Sequence, residues 1–276
     1  PGTTTLVAGT NTVILDDAAN NFGTVAVTSA TTATLVDVGG IDIGATNVTT
    51  LNLTAGGNIS DSGTIVASGT TTIVAGANNV VLDDAANNFG IVAITSAGTA
   101  TLVDVGAIDI GASTVTTLNI TAGGAISDSG TIVASGTTTI VAGANNVVLD
   151  EAANNFGIVA VTSAGTATLV DVGAIDIGAT TVTTLNITAG GAISDSGTIV
   201  ASGTTTIVAG ANNAVLDDAA NNFGTVAVTS AGTATLVDVD AIDLGASGVT
   251  TLNVTAGGAI TDSGNLAVTG TSTFTS

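Results

Sequence analysis

A nine-residue segment, LDDAANNFG, recurs along the chain at a constant interval and constrains the fold more than any other feature. It occupies Leu15–Gly23 and Leu82–Gly90, returns with Glu151 in its second acidic position at Leu149–Gly157, and occurs again at Leu216–Gly224. The copies begin at positions 15, 82, 149 and 216, a constant spacing of 67. A strict internal period of this kind is typical of solenoids and other repeat architectures.

The interval divides the chain into tandem repeats. Four of them cover residues 2–68, 69–135, 136–202 and 203–269, and a partial fifth repeat covers 270–276. Because solenoids grow in one dimension by adding repeats, we predict that residues 1–276 form a single β-solenoid. The last residues match the first in phase and neither end resembles a capping repeat, so we expect either part of a longer array or a subunit that stacks end to end with copies of itself.

A shorter pattern, Leu or Ile followed two positions later by Asp or Glu, subdivides each repeat. It begins at Leu15, Leu35, Ile59, Leu82, Leu102, Ile126, Leu149, Leu169, Ile193, Leu216, Leu236 and Ile260. The successive intervals of 20, 24 and 23 positions predict three coils per repeat, and therefore about twelve coils in all. The acidic residues of the pattern, one per coil, are expected to form a ladder near one corner.

The residues between these positions favour β-strands. Val, Ile and Thr dominate the chain, and β-branched side chains suit a pleated sheet. Leu118 and Ile120 alternate with polar neighbours, a period of two that predicts one buried and one solvent-facing side. Segments rich in Gly and Asn separate the strands and are expected to form corners. The sequence therefore predicts an all-β parallel β-helix, with one phenylalanine per repeat in the core: Phe22, Phe89, Phe156 and Phe223.

Charge and composition exclude several classes of function. The chain has 21 acidic residues and no Lys, Arg or His, which gives a formal net charge of −21. Nucleic acids and anionic membrane surfaces are bound through cations, which this chain lacks. Without Cys or His, zinc, thiol and Ser-His-Asp catalysis lack their required groups. We therefore predict that the chain is not an enzyme, and it has no run of the roughly 18 apolar residues that span a membrane.

Three segments resemble a known family: LTAGGNISDSG at Leu53–Gly63, LDDAANNFG, and GTTTIVAG at Gly69–Gly76. They look like the repeats of filamentous-haemagglutinin-type proteins, which are very large bacterial surface and secreted adhesins. The resemblance implies a right-handed parallel β-helix, a location outside the cell or on its surface, and a role in adhesion, biofilm or fibre formation. It implies host or neighbouring cell surfaces as partners, and it transfers no catalytic residue to this chain.

The acidic residues allow two interpretations. Each can close a turn by accepting backbone N–H groups, as in an Asx turn, or grouped carboxylates can bind Ca²⁺, which prefers several oxygen ligands. The densest groups give the candidate calcium ligands Asp16, Asp17, Asp83, Asp84, Asp238, Asp240 and Asp243. No cofactor other than this possible Ca²⁺ is predicted. A calcium-dependent surface-layer or binding module is therefore one alternative function.

Threonine-rich segments such as Thr70–Thr72 and Thr116–Thr117 raise another alternative, an ice- or polysaccharide-binding module. Such a surface needs a regular Thr-x-Thr motif on every coil, and the sequence does not show one. The leading hypothesis is a non-enzymatic structural protein, a β-solenoid segment of an extracellular bacterial adhesin or self-assembling fibre. Its partner would be itself, through end-to-end stacking or covalent continuation of the repeats.

Overall fold

The computed structural model describes residues 2–276, and every regular element in that range is a β-strand. Contacts divide the chain into two compact units, an N-terminal unit that ends at Ser135 and a C-terminal unit that begins at Gly136. The division coincides with the boundary between the second and third predicted repeats. No part of residues 2–276 forms a helix with the length and apolarity needed to cross a membrane.

The N-terminal unit contains strands of 3 to 17 residues. They are β1 (Thr3–Val7), β2 (Thr12–Leu15), β3 (Thr24–Asp37), β4 (Ile41–Ile43), β5 (Thr46–Ala55), β6 (Ile59–Asp61), β7 (Ile65–Val74), β8 (Val80–Leu82), β9 (Asn88–Asp104), β10 (Ile108–Ile110), β11 (Ser113–Ala122) and β12 (Ile126–Asp128). The boundary between the units falls within β13 (Ile132–Val141).

The C-terminal unit repeats the same order of long and short strands. They are β14 (Val147–Leu149), β15 (Asn155–Asp171), β16 (Ile175–Ile177), β17 (Thr180–Ala189), β18 (Ile193–Asp195), β19 (Ile199–Val208), β20 (Ala214–Leu216), β21 (Asn222–Asp238), β22 (Ile242–Leu244), β23 (Ser247–Ala256), β24 (Ile260–Asp262), β25 (Leu266–Val268) and β26 (Ser272–Thr275).

Parallel pairing between coils builds each unit as a β-solenoid. In the N-terminal unit Leu35 pairs with Leu53, Leu53 with Ile73, and Ile73 with Ile94, so stacked residues are 18 to 21 positions apart. The same registers recur in the C-terminal unit. This confirms the predicted all-β parallel solenoid with 67-residue repeats of three coils each. The coils are shorter than predicted, and the structure has about 14 turns rather than about twelve, because each repeat also crosses to the opposite sheet in addition to its three coils.

Each repeat also contains residues that carry the chain across to the opposite sheet. The first part of β9 pairs with β7 and β10 in one sheet, and its last part pairs with β8 and β11 in the other. As a result, β4 and β10, which have the same IDI sequence one repeat apart, lie in opposite sheets of the N-terminal unit. Strands β16 and β22 alternate in the same way in the C-terminal unit.

This alternation contradicts the expected ladder of acidic residues. Leu35 begins one copy of the pattern but pairs with Leu53, not with the next copy at Ile59. Ile59 lies in the other sheet, where it pairs with Ile41 and Val80. The prediction of one ladder near one corner was therefore wrong, because a residue interval does not show which sheet the chain has reached.

The core is aliphatic and follows the period of two. Leu118 and Ile120 are at most 1% exposed, as their alternation with polar neighbours predicted. Phe89, Phe156 and Phe223 are also buried, which confirms their predicted place in the core. Phe22, in the first repeat, is only partly buried. Because fully burying such a side chain contributes roughly 1.5–3 kcal/mol, regular aliphatic burial is a major source of stability for each unit.

Glycine is required at two kinds of turn. Gly76 has a φ of +63°, a left-handed conformation that other residues adopt only at a cost. Gly123 has a different constraint, because a Cβ atom added there would lie 2.2 Å from the carbonyl oxygen of Val105 in the preceding coil. The close approach of successive coils at this turn is therefore possible only without a side chain.

Among residues 2–276, three buried threonines in long strands have a hydroxyl without a hydrogen-bond partner, and two of them provide a test of this core. Thr71 in β7 and Thr205 in β19 are fully buried, and their hydroxyl oxygens have no hydrogen-bond partner. A buried hydroxyl without a partner costs about 1–3 kcal/mol, and valine has nearly the same shape. We expect Thr71→Val and Thr205→Val each to raise the free energy of unfolding by about 1 kcal/mol, measured by urea denaturation. The matched control is Thr72→Val on the outward side of β7, and a loss of stability in Thr71→Val would contradict the prediction.

Candidate functional site

The turns that follow the four longest strands each contain one buried aspartate. In the turn after β9, Asp104 is 2% exposed and its Oδ2 accepts the Phe89 N–H at 2.6 Å. Its Oδ1 accepts the Gly106 N–H at 2.7 Å, which closes the turn. The equivalent buried residues are Asp37, Asp171 and Asp238. Each carboxylate thus caps its own turn and also binds the backbone beside a repeat phenylalanine.

Burial changes the acidity of two of these groups. It raises the pKa of Asp104 and Asp171 above the ordinary value, and the hydrogen bonds from Phe89 and Phe156 oppose this effect only in part. The chain has no Lys, Arg or His that could compensate the buried charges. Protonation of both carboxyls therefore favours the folded state.

A second set of carboxylates holds the LDDAANNFG loop against the preceding coil. Asp61 Oδ1 accepts the Asp83 N–H at 3.0 Å, and its Oδ2 accepts the Asp84 N–H at 3.3 Å and the Asn87 side-chain amide at 2.6 Å. Asn87 is fully buried, and its Oδ1 accepts the Ile65 N–H at 2.7 Å. We call this set of contacts the loop interlock.

The C-terminal unit contains the same loop interlock. Asp195 accepts hydrogen bonds from the backbone of Asp217 and Asp218 and from the side chain of Asn221, which in turn accepts the Ile199 N–H at 2.7 Å. Sequence reasoning placed Asp61 and Asp195 in the acidic pattern but did not identify the asparagines or their contact with these aspartates. The available signal was the strict recurrence of both residue types, 26 positions apart, in the ISDSG and AANNFG segments.

The candidate calcium ligands in this loop have separate positions. Asp16, Asp17 and Asp83 are exposed, and Asp17 Oδ1 accepts the Ala19 N–H at 2.8 Å. Asp84 Oδ1 accepts the Ala86 N–H at 2.9 Å, the geometry of an Asx turn. Both contacts agree with the first interpretation of the acidic residues, in which each carboxylate closes a turn by accepting a backbone N–H group.

The other candidate group, near the end of β21, is likewise divided among different contacts. Asp238 is one of the buried turn caps, and its Oδ1 accepts the Asp240 N–H at 2.7 Å. Asp240 Oδ2 accepts the Asn222 side-chain amide at 3.2 Å. Asp243 lies on β22 and accepts hydroxyl groups, and the hydrogen bond from Ser263 at 2.5 Å is the main cause of its lowered pKa. Nowhere in residues 2–276 do three or more acidic side chains group closely enough to hold a metal ion.

The middle repeats leave one carboxylate oxygen without a partner. In the first repeat Asp42 Oδ2 accepts the Thr24 hydroxyl at 2.8 Å, and Thr225 donates to Asp243 in the same way. The second and third repeats have Ile91 and Ile158 in place of these threonines. The Oδ1 atoms of the equivalent aspartates are buried there without a hydrogen bond: Asp109 and Asp176.

Outward side chains form an uncharged grid on one sheet of each unit. We call it the Thr/Asn face. In the N-terminal unit its rows are Thr32, Thr34 and Val36; Thr50, Asn52 and Thr54; and Thr70, Thr72 and Val74. In the C-terminal unit its rows are Thr166, Thr168 and Val170; Thr184, Asn186 and Thr188; and Thr204, Thr206 and Val208.

The register places these side chains in columns as well as rows. Thr34 pairs with Asn52 and Asn52 with Thr72, while Thr54 lies between Val36 and Val74. The sequence predicted no regular Thr-x-Thr surface, because Thr-x-Thr is absent from many coils. Only the pairing register shows that three consecutive coils in each unit align such residues on one side.

The buried carboxylates predict an unusual pH dependence. Asp104 and Asp171 have raised pKa values, so their stabilisation of the folded state is complete below the unfolded value of 3.8 and is lost as pH rises through the folded value. Mutual repulsion among the 21 acidic residues also destabilises the folded state as pH rises. The lowered pKa of Asp243 has the opposite effect and stabilises the folded state as pH rises. We expect a higher urea unfolding midpoint at pH 4.5 than at pH 7, at equal ionic strength. A midpoint that falls over this range would contradict the prediction, and Asp104→Asn with Asp171→Asn should flatten the profile.

The loop interlock predicts a large effect for one asparagine and a small one for its neighbour. Asn87→Ala removes the buried acceptor of the Ile65 N–H and a donor to Asp61, so we expect a loss of about 3 kcal/mol in the free energy of unfolding. Asn88→Ala is the matched control because Asn88 is exposed, and we expect a change within about 0.5 kcal/mol. Equal effects of the two substitutions on chemical denaturation would refute the structural role of Asn87.

The comparisons with known proteins agree with the repeat architecture. The family model described as Repeats of unknown function (DUF5649) matches residues 1–29, 30–96, 97–163, 164–230 and 231–276. From position 30 onward, successive matches begin at the same spacing as the copies of LDDAANNFG. No curated protein and no solved structure gave a match. Since the matches cover the whole sequence, the chain belongs to the family of Repeats of unknown function (DUF5649).

Proposed function

We propose that the chain is a structural β-solenoid segment of a bacterial surface or secreted adhesin, or of a self-assembling fibre, and that it performs no catalysis. The observation that favours this function is the continuous parallel pairing within each unit, where coil after coil hydrogen-bonds to the next along its strands. Each coil hydrogen-bonds to its neighbours along its strands, and solenoids of this kind resist deformation because every repeat is held by the next.

The side-chain contacts support a mechanical role. The recurrent chemistry of the repeats, the loop interlock and the buried turn caps, connects one coil to another and leaves few groups free for chemistry on a substrate. The carboxylates act as acceptors for backbone N–H and hydroxyl groups. Because the chain contains no Lys or Arg, proteases that cleave after basic residues have no site in it.

The extracellular location is proposed from the resemblance to filamentous-haemagglutinin-type repeats. The segments that resemble them have defined structural roles here. LTAGGNISDSG includes Asp61 of the loop interlock, LDDAANNFG includes the loop it binds, and GTTTIVAG forms part of a long strand and the turn at Gly76. The acidic surface would keep such a segment soluble outside the cell.

The proposed partner is a further stretch of the same repeat, joined covalently or by stacking. Within a unit, one coil recognises the next through backbone pairing and through the contact of Asp61 with the loop of the following coil. An added repeat would use the same two contacts. The proposed fibre would lengthen through this backbone pairing and this aspartate contact.

Electron microscopy of the purified chain at neutral pH tests the fibre. We expect filaments with a repeat of about 4.8 Å per coil, unchanged by a calcium chelator because Asp84 and Asp238 already bind backbone N–H groups. Short particles alone would exclude assembly by stacking, and loss of filaments in chelator would support the calcium-dependent alternative.

Antibody labelling of intact and lysed cells that produce the native protein tests the location. Labelling of intact cells is the expected result. Labelling that appears only after lysis would overturn the adhesin proposal.

A further inference from the structure

The Thr/Asn face differs in charge from the rest of the chain. Its nine residues in the N-terminal unit include no acidic side chain, although the chain has a net charge of −21. Alternate residues of the same strands point inward, among them Ala33, Leu35, Leu51, Leu53 and Ile73, all at most 1% exposed. The outward side chains of the grid therefore lie directly above a closely packed aliphatic core. The net negative charge of the molecule would repel an acidic ligand, so the face is suited to an uncharged one.

The asparagine in the middle row is oriented by its neighbour. Asn52 Nδ2 donates to Thr34 Oγ1 at 3.2 Å, and Asn186 donates to Thr168 at 3.3 Å. An amide group has two N–H donors and one carbonyl acceptor. The contact therefore orients the amide and leaves a donor and an acceptor side by side, an arrangement that can bind two adjacent hydroxyl groups.

The grid also has regular dimensions. Rows are about 4.8 Å apart, and side chains within a row are about 6.8 Å apart, the spacings of neighbouring strands and of alternate residues. Hydroxyl groups of threonine alternate with methyl groups and with half-buried Val36 and Val74. A surface of this composition can donate and accept hydrogen bonds to hydroxyl groups and contact C–H groups of the same ligand.

From these features we propose that the Thr/Asn face binds an extended, uncharged polysaccharide that runs across the rows, with the central asparagine bound to adjacent sugar hydroxyls. The inference rests on the proposed attachment function and names its ligand class. The absence of aromatic residues from the face predicts weak binding at each grid. Because the grid occurs in both units, affinity for a polymer would come from several grids at once.

The test is retention of the full chain by soluble and insoluble neutral polysaccharides, namely a β-glucan, a mannan, cellulose and chitin. The test variant replaces the grid asparagines, Asn52 and Asn186, and their equivalents on the opposite sheet of each unit, Asn119 and Asn253, by Val. The matched control replaces outward residues of the short strands, which are Ser60, Ser127 and Ser194, by Ala. All three proteins are first compared by thermal denaturation, which shows whether each variant has folded.

We expect at least one of these polysaccharides to retain the parent chain and the serine control, and the asparagine variant to bind roughly tenfold more weakly. Equal retention of parent and asparagine variant would overturn the proposed site, and so would retention by none of the polysaccharides. Thermal hysteresis of freezing without polysaccharide retention would replace the ligand by ice. These measurements use purified protein, so their failure is distinguishable from failure of the surface labelling that tests the proposed function.

Discussion

The fold depends on hydrogen bonds that run from one coil to the next in a chain without a single cationic side chain. Backbone pairing between stacked residues, such as Leu35 with Leu53 and Ile73 with Ile94, provides most of them. Carboxylates, asparagine amides and hydroxyl groups provide others, several of them at the turns, where strand pairing ends. Asp104 and Asp61 show the two solutions, since each carboxylate accepts backbone N–H or amide groups, which for Asp104 offset the cost of burial in part. A carboxylate that accepts several N–H groups needs no salt bridge, which explains how an all-acidic chain can place aspartates in its interior.

The acidic surface and the Thr/Asn faces have different roles. The acidic residues lie in the turns, at strand ends and on the short strands, and their charge opposes non-specific association of such an apolar and β-rich chain. The Thr/Asn faces lie on the long strands, where outward side chains are uncharged and are held in position by the core beneath them. A structural role and a binding role can therefore coexist, because they use opposite faces of the same strands.

Much of the fold could be predicted from the sequence because its signals are local. The constant period of LDDAANNFG, the alternation around Leu118 and the buried phenylalanines follow from residue spacing and hydrophobicity alone. The pairing of Leu35 with Leu53 could not be predicted, because the acidic pattern suggested Ile59 and a residue interval does not show where the chain changes sheets. The same limit hid the Thr/Asn face, whose members are adjacent only through register. Of the predicted calcium ligands, Asp238 proved to be a buried turn cap, and burial cannot be read from a carboxylate's position in the sequence.

The passage of β9 from one sheet to the other gives each unit two chemically related sides. In the N-terminal unit the rows that contain Asn52 lie on one sheet, and the related rows of Thr101 and Asn119 lie on the opposite sheet. An array with an even number of repeats would display both sides equally, whereas an odd number would leave one in excess. Repeat number would then set valency: gain or loss of a single repeat would change the balance between the two sides as well as the length.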